Sequence, residues 1–236
     1  MLPADPVRRR RAVSAVAGVL GLVVVVALVG VTLGGGGDDG APQGGSVAPS
    51  PTDTGTPLAD VDTTALAVAR EPFCGAVEPA SVLRALALTA ADADRVAADA
   101  WANGQETALE PGLRDVAHEH GCSWQGPGGI RARAWVFVPP TTTDEARTLR
   151  GATTGAAGCA PAAGAPAYGS PSVAVDCEDG PRRERVLAGL FGDAWLTCTL
   201  AAPRAGEDAP TRDELAERAS TWCAAVVAAA SPSAGG

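Results

Sequence analysis

The stretch RRERVLAGLFGDAWLTCTL, residues 182–200, carries the clearest structural pattern of this 236-residue chain. Two runs of strand-forming residues flank Gly192-Asp193, a dipeptide typical of two-residue turns between antiparallel strands. In the second run, positions 194, 196, 198 and 200 are all apolar, and alternate side chains of a strand share one face. The stretch therefore predicts a β-hairpin with one buried face.

The segment TRDELAERASTWCAAVVAAA, residues 211–230, predicts a helix that covers this hairpin. Thr211 and Glu214 have the spacing of a capping box, which marks the start of a helix. The apolar stripe of the helix contains Leu215, Ala219, Trp222, Cys223 and Val226. A helix with such a stripe is expected to pack on the apolar face of the hairpin.

The patterns outside the hairpin and its helix complete an α+β domain. Its predicted element order is α-β-β-α-β-β-β-α, with a mainly antiparallel sheet. Pro79 fits the first position of a helix, and a capping box at Thr142 and Glu145 opens another helix. Residues 89–119 are ambiguous, with a second helix near DADRVAADAW and then a loop. The other elements are a helix at 78–88, strands at 122–125 and 130–138, a helix at 141–152, a loop at 151–171 and a strand at 172–177.

All six cysteines follow residue 33, and their even number indicates disulfides formed in an oxidising compartment. Cys198 on the apolar strand face and Cys223 in the helix stripe are expected to meet in the core. Order along the chain then favours two further pairs, among the fifteen pairings that six cysteines allow. These are Cys74 with Cys122, and Cys159 with Cys177.

The N-terminus predicts a single-pass membrane anchor. Residues 1–11 contain the run Arg8–Arg11, and residues 12–33 carry no charge over a length that spans a bilayer as a helix. Because basic residues stay on the cytoplasmic side, residues 1–11 are expected inside the cell and the rest outside. A cleavable signal peptide is the alternative, but the run is long and ends in VTLGGGG, which is a poor cleavage site.

Composition then divides the exported part. Residues 34–68 are rich in Gly, Pro, Ser, Thr and Asp and predict a disordered linker. Residues 69–230 are expected to form one domain of ordinary size, and residues 231–236 a disordered tail.

The charge of the exported part argues against nucleic-acid partners. The formal net charge of the chain is −9, and residues 1–11 carry +3, which leaves −12 on the remainder. An acidic domain repels phosphate backbones and anionic lipid head groups.

The sequence HEHGCSW, residues 118–124, raises the question of a metal site or a hydrolase centre. His118 and His120 are two residues apart, whereas zinc-binding histidines on a helix are four apart, and no third ligand beyond Glu119 is indicated. If Cys122 is half of a disulfide, it is neither a thiolate nucleophile nor a ligand. We therefore interpret the stretch as a solvated turn that leads into a disulfide-tied strand. No catalytic residue, metal or cofactor is predicted.

The strand IRARAWVFV, residues 130–138, supplies the candidate ligand face. Alternation puts small and apolar residues on one side and Arg131, Arg133, Trp135 and Phe137 on the other. Guanidinium groups stack on aromatic rings and bind carboxylate or phosphate in a fork, which suits an anionic or sugar-containing envelope ligand. In the alternative interpretation, the two aromatic residues lie under a helix or loop and the arginines are solvated at the sheet edge.

The segments EPFCGAVEPASVLRAL, GCSW and ARAWVFV, together with a cysteine-bearing last helix, resemble a family of actinobacterial cell-envelope lipoproteins with an extracytoplasmic domain of unknown function. The domain is also similar to the extracellular sensor domain of some membrane serine/threonine kinases. This resemblance covers roughly residues 70–230. It implies a folded, disulfide-tied module on the outer face of the membrane, although this chain carries an apolar segment where many such lipoproteins have a lipidated cysteine.

Three classes of function follow from these observations. We expect an envelope module that binds a ligand or a membrane-protein partner and is not an enzyme. A structural or assembly role in the envelope without a small ligand is the first alternative, and a hydrolase is the second.

Overall fold

The hairpin around Gly192 lies at the centre of a large antiparallel sheet. The computed structural model describes residues 55–110 and 113–232, with residues 107–110 and 113–114 described by their backbone alone. Among these residues seven strands form one sheet, in the order β1-β4-β5-β9-β8-β7-β6, and two form a separate hairpin, β2-β3. The strands are β1 (Ala97–Trp101), β2 (Glu106–Glu110), β3 (Leu113–Val116), β4 (Glu119–Gln125), β5 (Arg131–Phe137), β6 (Cys159–Pro161), β7 (Ser172–Asp179), β8 (Arg182–Phe191) and β9 (Ala194–Pro203).

Three α-helices accompany this sheet within the described residues: α1 (Pro79–Ala85), α2 (Thr143–Thr154) and α3 (Arg212–Ala230). Both predicted capping boxes are present, with Thr142 and Glu145 at α2 and Thr211 and Glu214 at α3. Short 3-10 turns lie at Leu58–Asp60, Thr63–Ala65, Cys74–Ala76 and Ala90–Arg95. The predicted α+β class and antiparallel sheet are confirmed.

The sheet has two faces with different coverings. The inner face carries the main core, in which Ala132, Ala134, Val136, Leu196, Cys198 and Leu200 are almost fully buried against α1 and α3. The outer face carries the alternate residues of the same strands. Helix α2 packs on it mainly over β6, β7 and β8. The apolar cluster beneath α2 also includes Trp195 of β9 and Phe137 of β5, so only the remainder of the outer face, toward β1, lies beyond this helix.

The three disulfides join the pairs that we predicted from the sequence. Cys74 pairs with Cys122, Cys159 with Cys177, and Cys198 with Cys223. The last bond connects β9 to α3 through the core, because both cysteines are fully buried. No cysteine is free. Cys122 is therefore unavailable as a nucleophile or metal ligand.

The region 89–119 differs from the prediction. The expected helix near residues 92–101 is wrong: the chain forms a 3-10 turn and then β1, which pairs antiparallel with β4 at the sheet edge. The expected loop contains the β2-β3 hairpin. Alanine-rich residues favour a helix in isolation, but the edge of β4 offers hydrogen bonds and packing that override this preference. The short strand β6 inside the predicted 151–171 loop was also missed.

The predicted linker ends earlier than expected. Leu58 and Val68 are buried in the main core, although both were assigned to residues 34–68. The backbone N–H of Leu58 donates to Ser220 on α3, and the Thr63 hydroxyl donates to the carbonyl of Ala167. A few apolar residues in a Gly- and Pro-rich segment are enough to anchor it. The folded domain thus includes residues from about 55 onward.

The predicted membrane anchor at residues 12–33 lies outside the described residues, as do residues 1–11, the first part of the linker, and residues 233–236 of the tail. Within the described part, no helix has the length and apolar character needed to cross a bilayer.

Candidate functional site

The candidate ligand face lies on the outer side of β5, where the structure divides it into two parts. Phe137 packs against the apolar cluster beneath α2, which includes Val173, Leu190 and Trp195. Arg131, Arg133 and Trp135 are half-buried and lie beyond that cluster. The opposite side of the strand is buried, as predicted. Phe137 thus lies under a helix, as the alternative interpretation expects, whereas Trp135 is not part of the cluster beneath α2.

The central feature of this face is an arginine between two tryptophans. The Arg133 guanidinium carbon lies 5.2 Å from the ring centroid of Trp135 and 5.7 Å from that of Trp101. Both distances are within the range of cation–π attraction, which is about 6 Å. We refer to Trp101, Arg133 and Trp135 as the stack. It combines two aromatic rings with a cation on one sheet surface.

Strand register explains how the stack forms. Trp101 on β1, Gly121 on β4 and Trp135 on β5 are successive partners across three neighbouring strands, so they form one row on the outer face. Gly121 has no side chain, and a Cβ at this position would overlap the Trp101 ring. The glycine therefore lets the Trp101 ring lie flat over β4, toward Arg133.

Glu119 fixes the far side of the Trp101 ring. The indole Nε1 of Trp101 donates to the Glu119 carboxylate at 3.2 Å, and the backbone N–H of His118 donates to the same carboxylate at 3.1 Å. Trp101 is only 8% exposed, whereas Trp135 is half-buried. Of the two rings, Trp135 is the more available to a ligand.

Two arginines lie at one end of the outer face. Arg182 on β8 points to the same side as Arg131, and its Nη2 donates to the carbonyl of Gly129 at 2.9 Å, just before β5 begins. Burial lowers the pKa of Arg182, and the neighbouring charge of Arg131 lowers it further, while Glu184 acts in the opposite direction. These two like charges are thus held close enough to interact unfavourably.

The stretch 118–124 does not form the predicted turn, because β4 begins at Glu119 and includes most of it. His118 is exposed, His120 is half-buried, and they lie on the chain leading into a paired strand. Among the described residues, no three His, Cys, Asp or Glu side chains come together in a group that could hold a metal ion.

A groove of about 720 Å³ lies elsewhere, between the segment near Gly55, the start of α1 and the end of α3. Its wall consists largely of small side chains of α3: Ala224, Ala225, Ala228 and Ala229. Glu78 and Arg84 are its charged residues. Methyl groups give few specific contacts, so the groove is chemically less selective than the stack.

Sequence reasoning found Arg131, Arg133 and Trp135 because strand alternation is visible locally. It missed Trp101 and Arg182, which lie on strands that reach β5 only through the sheet. Position 101 ends a segment without alternation, so no local signal assigned it to a strand face.

Comparison with known proteins adds no functional assignment. A scan against protein-family models finds no match to the chain. A search of curated protein sequences also finds no match. Function is therefore inferred from the residues of the chain.

Proposed function

We propose that this protein is a membrane-anchored extracytoplasmic module of the cell envelope that binds a ligand through the outer face of its sheet and is not an enzyme. The stack of Trp101, Arg133 and Trp135 is the observation that carries the proposal. Aromatic rings and a guanidinium on one accessible surface can together contact the face of a ring and an acceptor group of a ligand.

Three features support the placement outside the cytoplasm. All six cysteines are in disulfides, which persist in oxidising compartments. Residues 12–33 have the composition of a membrane-spanning helix, and the arginines before them favour a cytoplasmic N-terminus. In this proposal the chain crosses the membrane once. The resemblance to actinobacterial envelope lipoproteins agrees with the same placement.

The double substitution Trp135→Ala with Arg133→Ala tests this function in the full-length protein. Immobilised wild-type protein should retain components of a cell-wall or membrane extract from its native cells, and the double variant should not. Arg147→Ala is the matched control, because Arg147 is exposed on α2 and pairs with Asp144. Near-ultraviolet circular dichroism and a thiol count should show that every variant is folded. If a folded double variant retains the same components as wild type, the proposal is wrong.

A further inference from the structure

Two buried donors beside the stack have no hydrogen-bond partner within the described residues. They are the Nε–H of Arg131 and the hydroxyl of Thr199. Thr199 is 2% exposed. Leaving a buried donor unsatisfied costs about 1–3 kcal/mol, so native proteins rarely do so without a ligand, ion or water in place.

These two groups lie on the same side of neighbouring strands. Thr199 on β9 is the direct partner of Arg133, and Arg131 is the partner of Ala201, two residues further along. The register therefore puts Thr199 diagonal to Arg131 on the outer face. Arg182 reaches the carbonyl of Gly129 at the same end of the sheet. Arg131, Arg182 and Thr199, which we call the basic end, thus present hydrogen-bond donors to one region.

Several arginines elsewhere in the domain are paired with carboxylates. Arg185 donates to Asp176 at 2.9 Å, and both Arg204 and Arg212 bind Glu178, at 3.1 and 2.6 Å. In the described part, Arg131 and Arg182 form no such ion pair. Glu184 and Asp179, the direct partner of Arg182 on β7, lie on the same face and offset part of the charge. An oxyanion from outside the chain would accept from the donors that the protein leaves unmatched.

The distance along β5 limits the size of the ligand. Trp135 and Arg131 are four residues apart on one face, which corresponds to about 13 Å at about 3.3 Å per residue. A single sugar ring is too short to contact both. A ligand that stacks on Trp135 and also reaches the basic end must be an extended chain of several rings.

We propose that the ligand is an acidic oligosaccharide, with one ring stacked on Trp135 and a carboxylate or phosphate held by Arg131, Arg182 and Thr199. This inference rests on the proposed function. It adds the chemical class of the ligand and the direction in which it lies along β5. Envelope glycans can carry a carboxylate or a phosphate, and the probes below distinguish between the two groups.

Calorimetric titration of the full-length protein in detergent tests the inference with three tetrasaccharides: tetragalacturonate, phosphorylated maltotetraose and unmodified maltotetraose. At least one anionic probe should bind at least 10-fold more tightly than the neutral one, and its binding should weaken at high salt. Binding of the uronate should be lost below about pH 4, where its carboxyl groups protonate. Binding of the phosphorylated probe should persist there. Galacturonate monomer and inorganic phosphate should bind at least 10-fold more weakly than the tetrasaccharide.

Substitution at the basic end completes the test. Arg131→Gln should weaken binding of the anionic probe about 10-fold or more, while Arg147→Gln should leave it unchanged. Arg131→Lys retains the charge but not the fork of donors, so it should restore only part of the affinity. Each variant must show wild-type circular dichroism and no free thiol.

The outcomes separate this inference from the proposed function. If neutral and anionic tetrasaccharides bind equally, if none binds, or if a folded Arg131→Gln variant binds like wild type, the acidic-oligosaccharide inference is wrong. The proposed function still stands in those cases, provided that the Trp135→Ala, Arg133→Ala variant loses the envelope components. If that variant keeps them, both proposals fail.

Discussion

Replacing Gly121 with alanine would place a methyl group where the Trp101 ring lies. A Cβ built at position 121 comes within 3.0 Å of three atoms of that ring, Cζ2, Cε2 and Cη2. Carbon atoms in contact are normally about 3.5–4.0 Å apart, so the ring must move. Its displacement would separate Trp101 from Arg133 and from the carboxylate of Glu119.

The expected cost follows from these contacts. Inserting a methyl group into a well-packed site costs about 1–3 kcal/mol. Loss of the cation–π contact adds about 0.5–1 kcal/mol, and loss of the indole hydrogen bond adds about 1 kcal/mol. Alanine restricts the unfolded chain more than glycine does, which returns about 0.5–1 kcal/mol. The free energy of unfolding should therefore fall by about 1.5–4.5 kcal/mol, with a central value of about 3 kcal/mol.

Denaturant unfolding without reductant measures this change, with Gly128→Ala as the matched control. A Cβ at Gly128 meets no atom within 4 Å, so that variant should lie within about 0.5 kcal/mol of wild type. In a Trp101→Ala background the obstacle is gone, and Gly121→Ala should then be neutral or slightly stabilising. The two substitutions should thus couple by about 3 kcal/mol. Equal costs of Gly121→Ala in the two backgrounds would show that the Trp101 ring does not lie over Gly121.

Three further predictions concern the rest of the chain. Replacing both Cys198 and Cys223 with alanine opens a loop of 25 residues and should lower the free energy of unfolding by about 3.5 kcal/mol. Denaturant titration measures this change, and a loss below about 1 kcal/mol would contradict the core position of the disulfide. Hydrogen bonds from the backbone N–H and the hydroxyl of Thr142 lower the pKa of Glu145, and those of Thr211 lower the pKa of Glu214. The two ionised carboxylates therefore stabilise the fold above about pH 4.3, and this stabilisation is lost as the pH falls through the lowered pKa. Glu145→Gln with Glu214→Gln should therefore make the melting temperature less dependent on pH between about pH 5 and pH 2, and an unchanged slope would refute this reasoning. Protease added to intact protoplasts should remove the domain while residues 12–33 stay with the membrane, and a mature protein that starts near residue 35 would contradict the uncleaved anchor.

Features that depend on residues close together in the chain were predictable from the sequence. The turn at Gly192 has a preferred geometry set by its own residues. The capping boxes at α2 and α3 join side chains three positions apart, and the alternation in residues 130–138 follows from the geometry of any strand. The disulfide pairs were also predictable, because Cys198 and Cys223 each lie on an apolar face and order along the chain assigned the other four cysteines.

The conformation of the segment before β4 and the composition of the stack depend on contacts between distant parts of the chain. Residues 97–101 are mostly alanine and show no alternation, so their strand conformation comes from pairing with β4 and not from their own preference. Trp101 and Arg133 are 32 positions apart in the chain and meet because β4, with a glycine at position 121, lies between their strands. Register across several strands is set by the whole sheet, which is why no local pattern reveals such a contact.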